Sequence, residues 1–246
     1  MQKKRQVEVY GDSILRGVQL DNESSRYRVL NNIDIDMLEK KFRLCISNFS
    51  KFGCTITKAC SVIQKRFEGD KSSAVSTPRP DAVIMNLGGN DCDFDWKAIA
   101  EHPEGEHKPN TPIEVFAEKY KKIIEFLKDK DIRPVITTLP PLSAQKFFNW
   151  FCGGLEKKAN VLKWLGGVEA IYRWQENYSR TIERLAGETE ALLVDLRGAF
   201  LKHRKIEQLL CADGAHPNTE GQKVITQSFM EFIINAKAKG KIQLYA

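Results

Sequence analysis

Val7-Glu8-Val9-Tyr10-Gly11-Asp12-Ser13-Ile14-Leu15-Arg16-Gly17 is a short apolar run that breaks on a glycine and passes, through Asp12 and Ser13, toward a helix. A β-branched stretch of this length bounded by turn residues reads as a buried strand. The same signature returns at residues 43–47, 82–87, 134–139 and 191–196. Segments with helical periodicity lie between them, at 55–67, 113–127, 168–185 and 219–236. Strands alternating with helices imply an α/β fold, a parallel sheet covered by helices on both faces. One helix start is marked in detail: Thr111 is placed to cap it and Pro112 to take its first position, ahead of the apolar stripe of residues 113–120.

With 246 residues the chain has room for one large α/β domain or two small ones. No internal repeat is visible, and the linker-like stretch 69–78 is too short to divide the chain, so residues 1–246 read as one domain. Two inserts interrupt the alternation, at about 92–110 after the third strand and about 143–168 after the fourth. The second is rich in aromatics: Phe147, Phe148, Trp150, Phe151 and Trp164. Both should emerge at the carboxyl ends of the strands, where open α/β sheets bind ligands. The second insert is then either a lid or pocket wall, or a set of aromatics that completes the core between helices.

A hydrophobic content of 42% with 28% charged residues is that of a soluble globular protein and argues against disorder. The basic start Met1-Gln2-Lys3-Lys4-Arg5-Gln6 runs straight into the first strand without an apolar h-region. No run approaches the roughly 20 apolar residues of a membrane span, so a cytoplasmic protein without a membrane partner is expected. The six cysteines, Cys45, Cys54, Cys60, Cys92, Cys152 and Cys211, form no CxxC pair, which argues against a zinc ribbon or a thioredoxin-like centre. In a cytoplasm they stay reduced. The net charge of +6 is interleaved with acidic residues rather than gathered into a tract, so no nucleic-acid partner is expected.

Three blocks carry chemistry. Gly11-Asp12-Ser13 would present a serine at the carboxyl end of the first strand, a nucleophile's position, although the same tripeptide also makes a good turn and helix cap. Gly88-Gly89-Asn90-Asp91 places a polar side chain at the end of the third strand, where Asn90 can offer an amide N–H to a developing oxyanion or simply shape a turn. Asp213-Gly214-Ala215-His216-Pro217-Asn218 precedes the last helix. A serine hydroxyl needs a base to become a nucleophile, and histidine is the usual one because it titrates near neutrality. Asp213, three residues upstream, can hold that imidazole in the right tautomer. The other reading of this block is a histidine that merely opens a helix. Of the four histidines, His102, His107 and His203 stand in polar surroundings and look solvated, and the spacing of His102 and His107 fits no common helical metal pair.

Together these blocks resemble the GDSL/SGNH hydrolase family, in which a serine, a glycine, an asparagine and a histidine lie in four sequence blocks in that order. The remaining block follows the second strand, Asn48-Phe49-Ser50-Lys51-Phe52-Gly53-Cys54-Thr55, and the resemblance assigns Gly53 as a backbone donor to the oxyanion. The likeness covers nearly the whole chain and departs from the family pattern only slightly, with isoleucine at Ile14 where leucine is usual and glycine at the variable position Gly89. It implies a flavodoxin-like three-layer α/β/α sandwich with a five-stranded parallel sheet of order 2-1-3-4-5. It also implies a serine esterase: Ser13 as nucleophile, His216 as its base, Asp213 as the support of His216, and an oxyanion hole made by Ser13, Gly53 and Asn90. Asp12 and Asp91 would brace their turns through backbone hydrogen bonds. The expected partner is a small-molecule ester, a small acyl group such as acetyl being favoured, and neither a metal nor an organic cofactor is called for. A thioesterase or acyltransferase would use the same nucleophile. A non-catalytic module that binds a carbohydrate or a protein surface would keep only the fold.

Overall fold

In the computed structural model, which describes residues 4–21, 23–29, 34–68, 79–152 and 156–242, the chain begins with β1 (Arg5–Gly11), α1 (Ser13–Arg16), β2 (Val18–Asp21) and β3 (Arg26–Val29). It goes on through α2 (Ile35–Phe42), β4 (Leu44–Asn48), α3 (Ile56–Glu68), β5 (Ala82–Asn86), α4 (Trp96–Glu101), α5 (Ile113–Asp129) and β6 (Arg133–Thr137). Then follow α6 (Ala144–Cys152), α7 (Lys158–Leu165), α8 (Glu169–Thr189), β7 (Leu192–Val194), α9 (Leu196–Leu201) and α10 (Thr219–Ala238). Among these residues no helix is long and apolar enough to cross a membrane.

Five strands form a parallel sheet of order β4-β1-β5-β6-β7, which is the 2-1-3-4-5 order once the strands of this sheet alone are counted. Side chains alternate across each strand, and here both faces are covered, which is why the strands read as unbroken apolar runs. Val83, Met85 and Ile136 face one layer, with Ile56 and Ile63 of α3, Phe116 and Tyr120 of α5, and Ile182 of α8. Their neighbours Ile84 and Val135 face the other layer, against Leu38 of α2, Phe200 of α9 and Ile225 of α10. Burying a side chain of the Leu or Phe class is worth roughly 1.5–3 kcal/mol, so these two layers carry the fold. The order of the sheet reverses between β1 and β5, and ligands of such sheets lie beyond the carboxyl ends of the strands at that point. Gly11 and Asn86 are paired there, and the blocks that hold Ser13 and Asn90 follow directly.

Three features depart from the sequence reading or add to it. Pro112 has an extended backbone (φ −51°, ψ 145°), so it is the N-cap of α5 and Ile113 opens the helix, without a side-chain cap. Thr111 instead binds the preceding loop, its N–H donating to the Asp91 carbonyl at 3.0 Å. Second, β2 and β3 make an antiparallel hairpin that the periodicity does not announce, closed by Asp21, whose carboxylate accepts the N–H groups of Glu23 and Ser24. Third, the two inserts meet. Ile99 of α4, Phe148 and Cys152 of α6 and Val161 of α7 form a separate buried cluster with Phe94 and Ile171, so part of the second insert packs as a small core of its own. The linker-like stretch 69–78 and residues 153–155 of that insert lie outside the described residues.

Candidate active site

Ser13 opens α1 and is buried to 7% exposure. The helix is a single turn, held at its start by Asp12, whose Oδ1 accepts the Ile14 N–H at 2.8 Å, and ended by Gly17 in the left-handed region. Asn48 at the end of β4 donates to the Leu15 carbonyl and Gln222 of α10 to that of Ile14, so the serine sits on a turn fixed from both sides. Neither the N–H of Ser13 nor that of Gly53 has a hydrogen-bond partner among the described residues.

The His216 turn is tighter still. Leu210 and Pro217 bridge, the Cys211 N–H donates to the His216 carbonyl at 2.8 Å, and the Gly214 N–H donates to the Cys211 carbonyl at 3.0 Å. Gly214 has φ +72°, and a Cβ there would stand 2.6 Å from Lys146 Cβ and 2.8 Å from Ser143 O. Only glycine lets this turn lie against the start of α6. Asp213, 1% exposed, is filled with donors: Oδ1 accepts the N–H groups of Ala215 and His216 at 3.0 Å each, and Oδ2 accepts the His216 ring at 2.7 Å. Burial alone would push this carboxyl up, but the imidazole and the two backbone N–H groups together hold it below the usual carboxylate range. A carboxylate only accepts, so Nδ1 of His216 carries the proton and Nε2 is left to accept the Ser13 hydroxyl, 2.8 Å away. The arrangement can take a proton from Ser13 and stabilise the imidazolium that results.

Asn90 lies beside the serine turn, its amide donating to the Cys54 carbonyl at 3.2 Å and to Asp12 Oδ2 at 3.3 Å. Gly53 precedes Cys54 in a left-handed conformation (φ +66°), half-buried, with its carbonyl held by Lys58. Asp91 points the other way and accepts the Ile56 N–H at the start of α3. Burial pushes both Asp12 and Asp91 up to about 6. Ser13, Asp213 and His216 thus form one hydrogen-bonded chain, with Asn90 and Gly53 in the turns beside it. His102 and His107 take no part in it; the His107 ring bonds to the His102 carbonyl at 2.8 Å and meets the Trp164 ring edge-on. Among the described residues no group of three or more His, Cys, Asp or Glu is placed to hold a metal.

A cavity of about 330 Å³ opens on this chain, touching Ser13, Asn90 and His216. Phe147, Trp150 and Phe151 of the second insert line it, as the pocket-wall reading expected, whereas Tyr27 and Phe52 escaped the sequence reading. Tyr27 of the hairpin stands 5.0 Å from the His216 ring and Phe52 stacks on it at 6.1 Å, with Trp150 of α6 beside Tyr27. Alternation in Arg26-Tyr27-Arg28-Val29 after a turn-forming stretch was the signal available for the hairpin. Nothing local could have placed Tyr27 against a histidine almost at the other end of the chain.

Residues 9–224 match the model of the GDSL-like Lipase/Acylhydrolase family. No curated protein matches the sequence. Among solved structures, a lipase/acylhydrolase from Enterococcus faecalis superposes with a TM-score of 0.65 at 15% identity, covering 98% of this chain and 99% of that one. A catalytic mutant of an acetylxylan esterase from Geobacillus stearothermophilus gives 0.62 at 16% identity, with 95% of each chain covered. An α/β hydrolase from the metagenome of Lake Arreo, Spain, gives 0.63 at 20% identity, covering 94% of this chain and 96% of that one. At such identities the likeness establishes the sandwich alone, whereas the family model spans the chain from β1 into α10. The chain belongs to the GDSL-like lipase/acylhydrolase family and is an ester-hydrolysing enzyme.

Proposed function

We propose that this enzyme cleaves carboxylic esters through an acyl-serine at Ser13, the whole chain acting as one domain with its two inserts shaping the site. The observation that carries the reading is the unbroken run of hydrogen bonds from Asp213 through His216 to Ser13, 2.7 and 2.8 Å long, at the mouth of a cavity. Ser13 Oγ attacks the ester carbonyl as its proton passes to His216 Nε2, and Asp213 stabilises the imidazolium. The tetrahedral oxyanion takes hydrogen bonds from the N–H groups of Ser13 and Gly53 and from the Asn90 amide, which exchanges its present acceptors for the stronger one. Collapse expels the alcohol, protonated by His216. Water then attacks the acyl carbonyl as its proton passes to His216, and collapse breaks the bond to Ser13 Oγ, which takes that proton back as the acid leaves.

Every proton transfer in this sequence is carried by His216. The same acyl-serine forms from a thioester, and an alcohol can replace water in the second half. An acetyl group fits the site but leaves most of the aromatic cavity unfilled. The test is labelling with a fluorophosphonate together with p-nitrophenyl ester turnover. Wild type should label at Ser13, and Ser13→Ala should lose both the label and at least about a thousandfold of kcat. Folded Ser13→Ala that retains turnover, or a label found on another residue, would overturn the assignment.

A further inference from the structure

We infer that the acyl half of the substrate is a compact, aryl-bearing acid, its ring lodged in the chamber that the second insert builds beside Ser13. The inference rests on Ser13 as nucleophile, because that fixes which half of the cavity is which. The departing alcohol takes its proton from His216 and so leaves along the rings that flank this imidazole, Tyr27 and Phe52, which are 39% and 59% exposed. The acyl group stays bonded to Ser13 Oγ and occupies the other, closed half. That half is walled by Phe94, Leu142, Phe147, Phe151, Leu165 and Ile171. Phe94, Leu142, Leu165 and Ile171 are buried, and behind them Phe148, Cys152 and Val161 pack against α4 and close the far end.

The chamber has little to offer a polar acyl group. Gln175 is used at both ends, donating to the Pro140 carbonyl at 2.8 Å and accepting from Arg197 at 2.9 Å. Asp93 accepts the Trp96 indole N–H at 2.8 Å. The wall presents rings both edge-on and stacked, Phe94 at 89° to Trp174 and Phe151 at 17° to Trp96. Edge-to-face and offset packing is what aromatic rings prefer, so a ring on the acyl group extends a pattern already present, whereas a linear chain does not. Size points the same way: about 330 Å³ is at the small end of the ~300–1,000 Å³ usual for ligand pockets. That volume is shared by both halves of the cavity, so the walled half has room for a ring on a short tether.

The inference is tested by kcat/KM of the wild type on p-nitrophenyl acetate, 3-phenylpropanoate, the linear nonanoate with the same number of carbons, and dodecanoate. The 3-phenylpropanoate should exceed acetate by about tenfold or more, the effect of burying one ring-sized side chain, and should exceed the nonanoate. Dodecanoate should fall below both. In Phe151→Ala the ratio of 3-phenylpropanoate to acetate should drop by about tenfold. If that variant does not fold, Phe151→Leu, which keeps bulk without a ring, reads out the same ratio. A ratio at or below one from wild type labelled at Ser13 would overturn the chamber and leave the serine mechanism intact, as would a nonanoate better than the aryl ester. Wild type that neither labels nor turns over any of these esters would sink the serine mechanism first and this inference with it.

Discussion

The turn that presents Ser13 and the turn that presents His216 each bury a carboxylate, and they shift its titration in opposite directions. Asp12 and Asp213 are 2% and 1% exposed, so burial raises both. Around Asp213 three N–H groups arrive within 3.0 Å, one of them from an imidazole, and they win. Asp12 has one good donor, Ile14 N–H at 2.8 Å, and a long one, Asn90 at 3.3 Å, and there burial wins. The charge of a buried carboxylate is thus decided by how many donors the local backbone aims at it. One turn keeps a fixed negative charge behind His216 at neutral pH. The other keeps a group that changes its proton near pH 6 beside Asn90.

Asp213→Asn breaks the comparison most sharply. The amide cannot present two acceptor oxygens, and its NH2 set against Nδ1 turns the imidazole to the tautomer that points a proton at Ser13. On the proposed mechanism kcat should fall by about 10⁴ with little change in KM, read from pre-steady-state and steady-state kinetics of one p-nitrophenyl ester. A loss below tenfold would remove Asp213 from the mechanism. Asn90→Ala acts on the other turn. Losing one side-chain donor to the oxyanion should cost about 10²–10³ in kcat while fluorophosphonate still labels Ser13, more slowly. An unchanged kcat would leave the oxyanion to the two backbone N–H groups.

These two turns were legible in the sequence because each is glycine-bearing punctuation beside a periodic segment, the end of a strand for Ser13 and the start of the last helix for His216, and such punctuation is local. The five strands of the sheet and α3, α5, α8 and α10 were legible because they are buried on one or both faces, and burial writes a period into the chain. Where that pressure is absent the reading fell silent. All four residues of β3 are exposed, so the alternation in that strand is not tied to a core, and Tyr27 was passed over. The second insert was legible as aromatic but not as structure, since α6 and α7 bury their rings against one another and against α4 rather than against the sheet. Pro112 was misplaced by one residue because the φ that its ring fixes is shared by the extended residue before a helix and by the first residue within it. Distances across the site, such as that between Ser13 and His216, depend on the sheet bringing distant turns together and have no local signature.

The smallest effect sharpens the contrast through stability rather than rate. Asp12 has its carboxyl raised from 3.8 to about 6 in the folded protein, so between these values the folded state binds more protons than the unfolded one. Stability therefore falls as pH rises from about 4 to about 6, and above that the buried charge costs its full amount. Asp91 is raised to the same value by the same cause and burial raises Asp93 as well, so these carboxyls add to the same slope. Asp213 has the opposite sign: its contribution is complete above the unfolded carboxylate pKa and is lost only as pH falls below that value toward its own. Asp12→Asn removes one of these charges while leaving an oxygen for the Ile14 N–H. It should flatten the slope between pH 4 and 6 and make the protein more stable at pH 7.5 by up to about 3 kcal/mol, the free energy of keeping a carboxylate charged where burial favours the acid. Urea denaturation of wild type and variant at pH 4.5 and 7.5 measures this directly. A variant that is less stable at both values would mean that the Asn90 contact to Asp12 outweighs the burial of its charge, and the two turns would then differ in geometry alone.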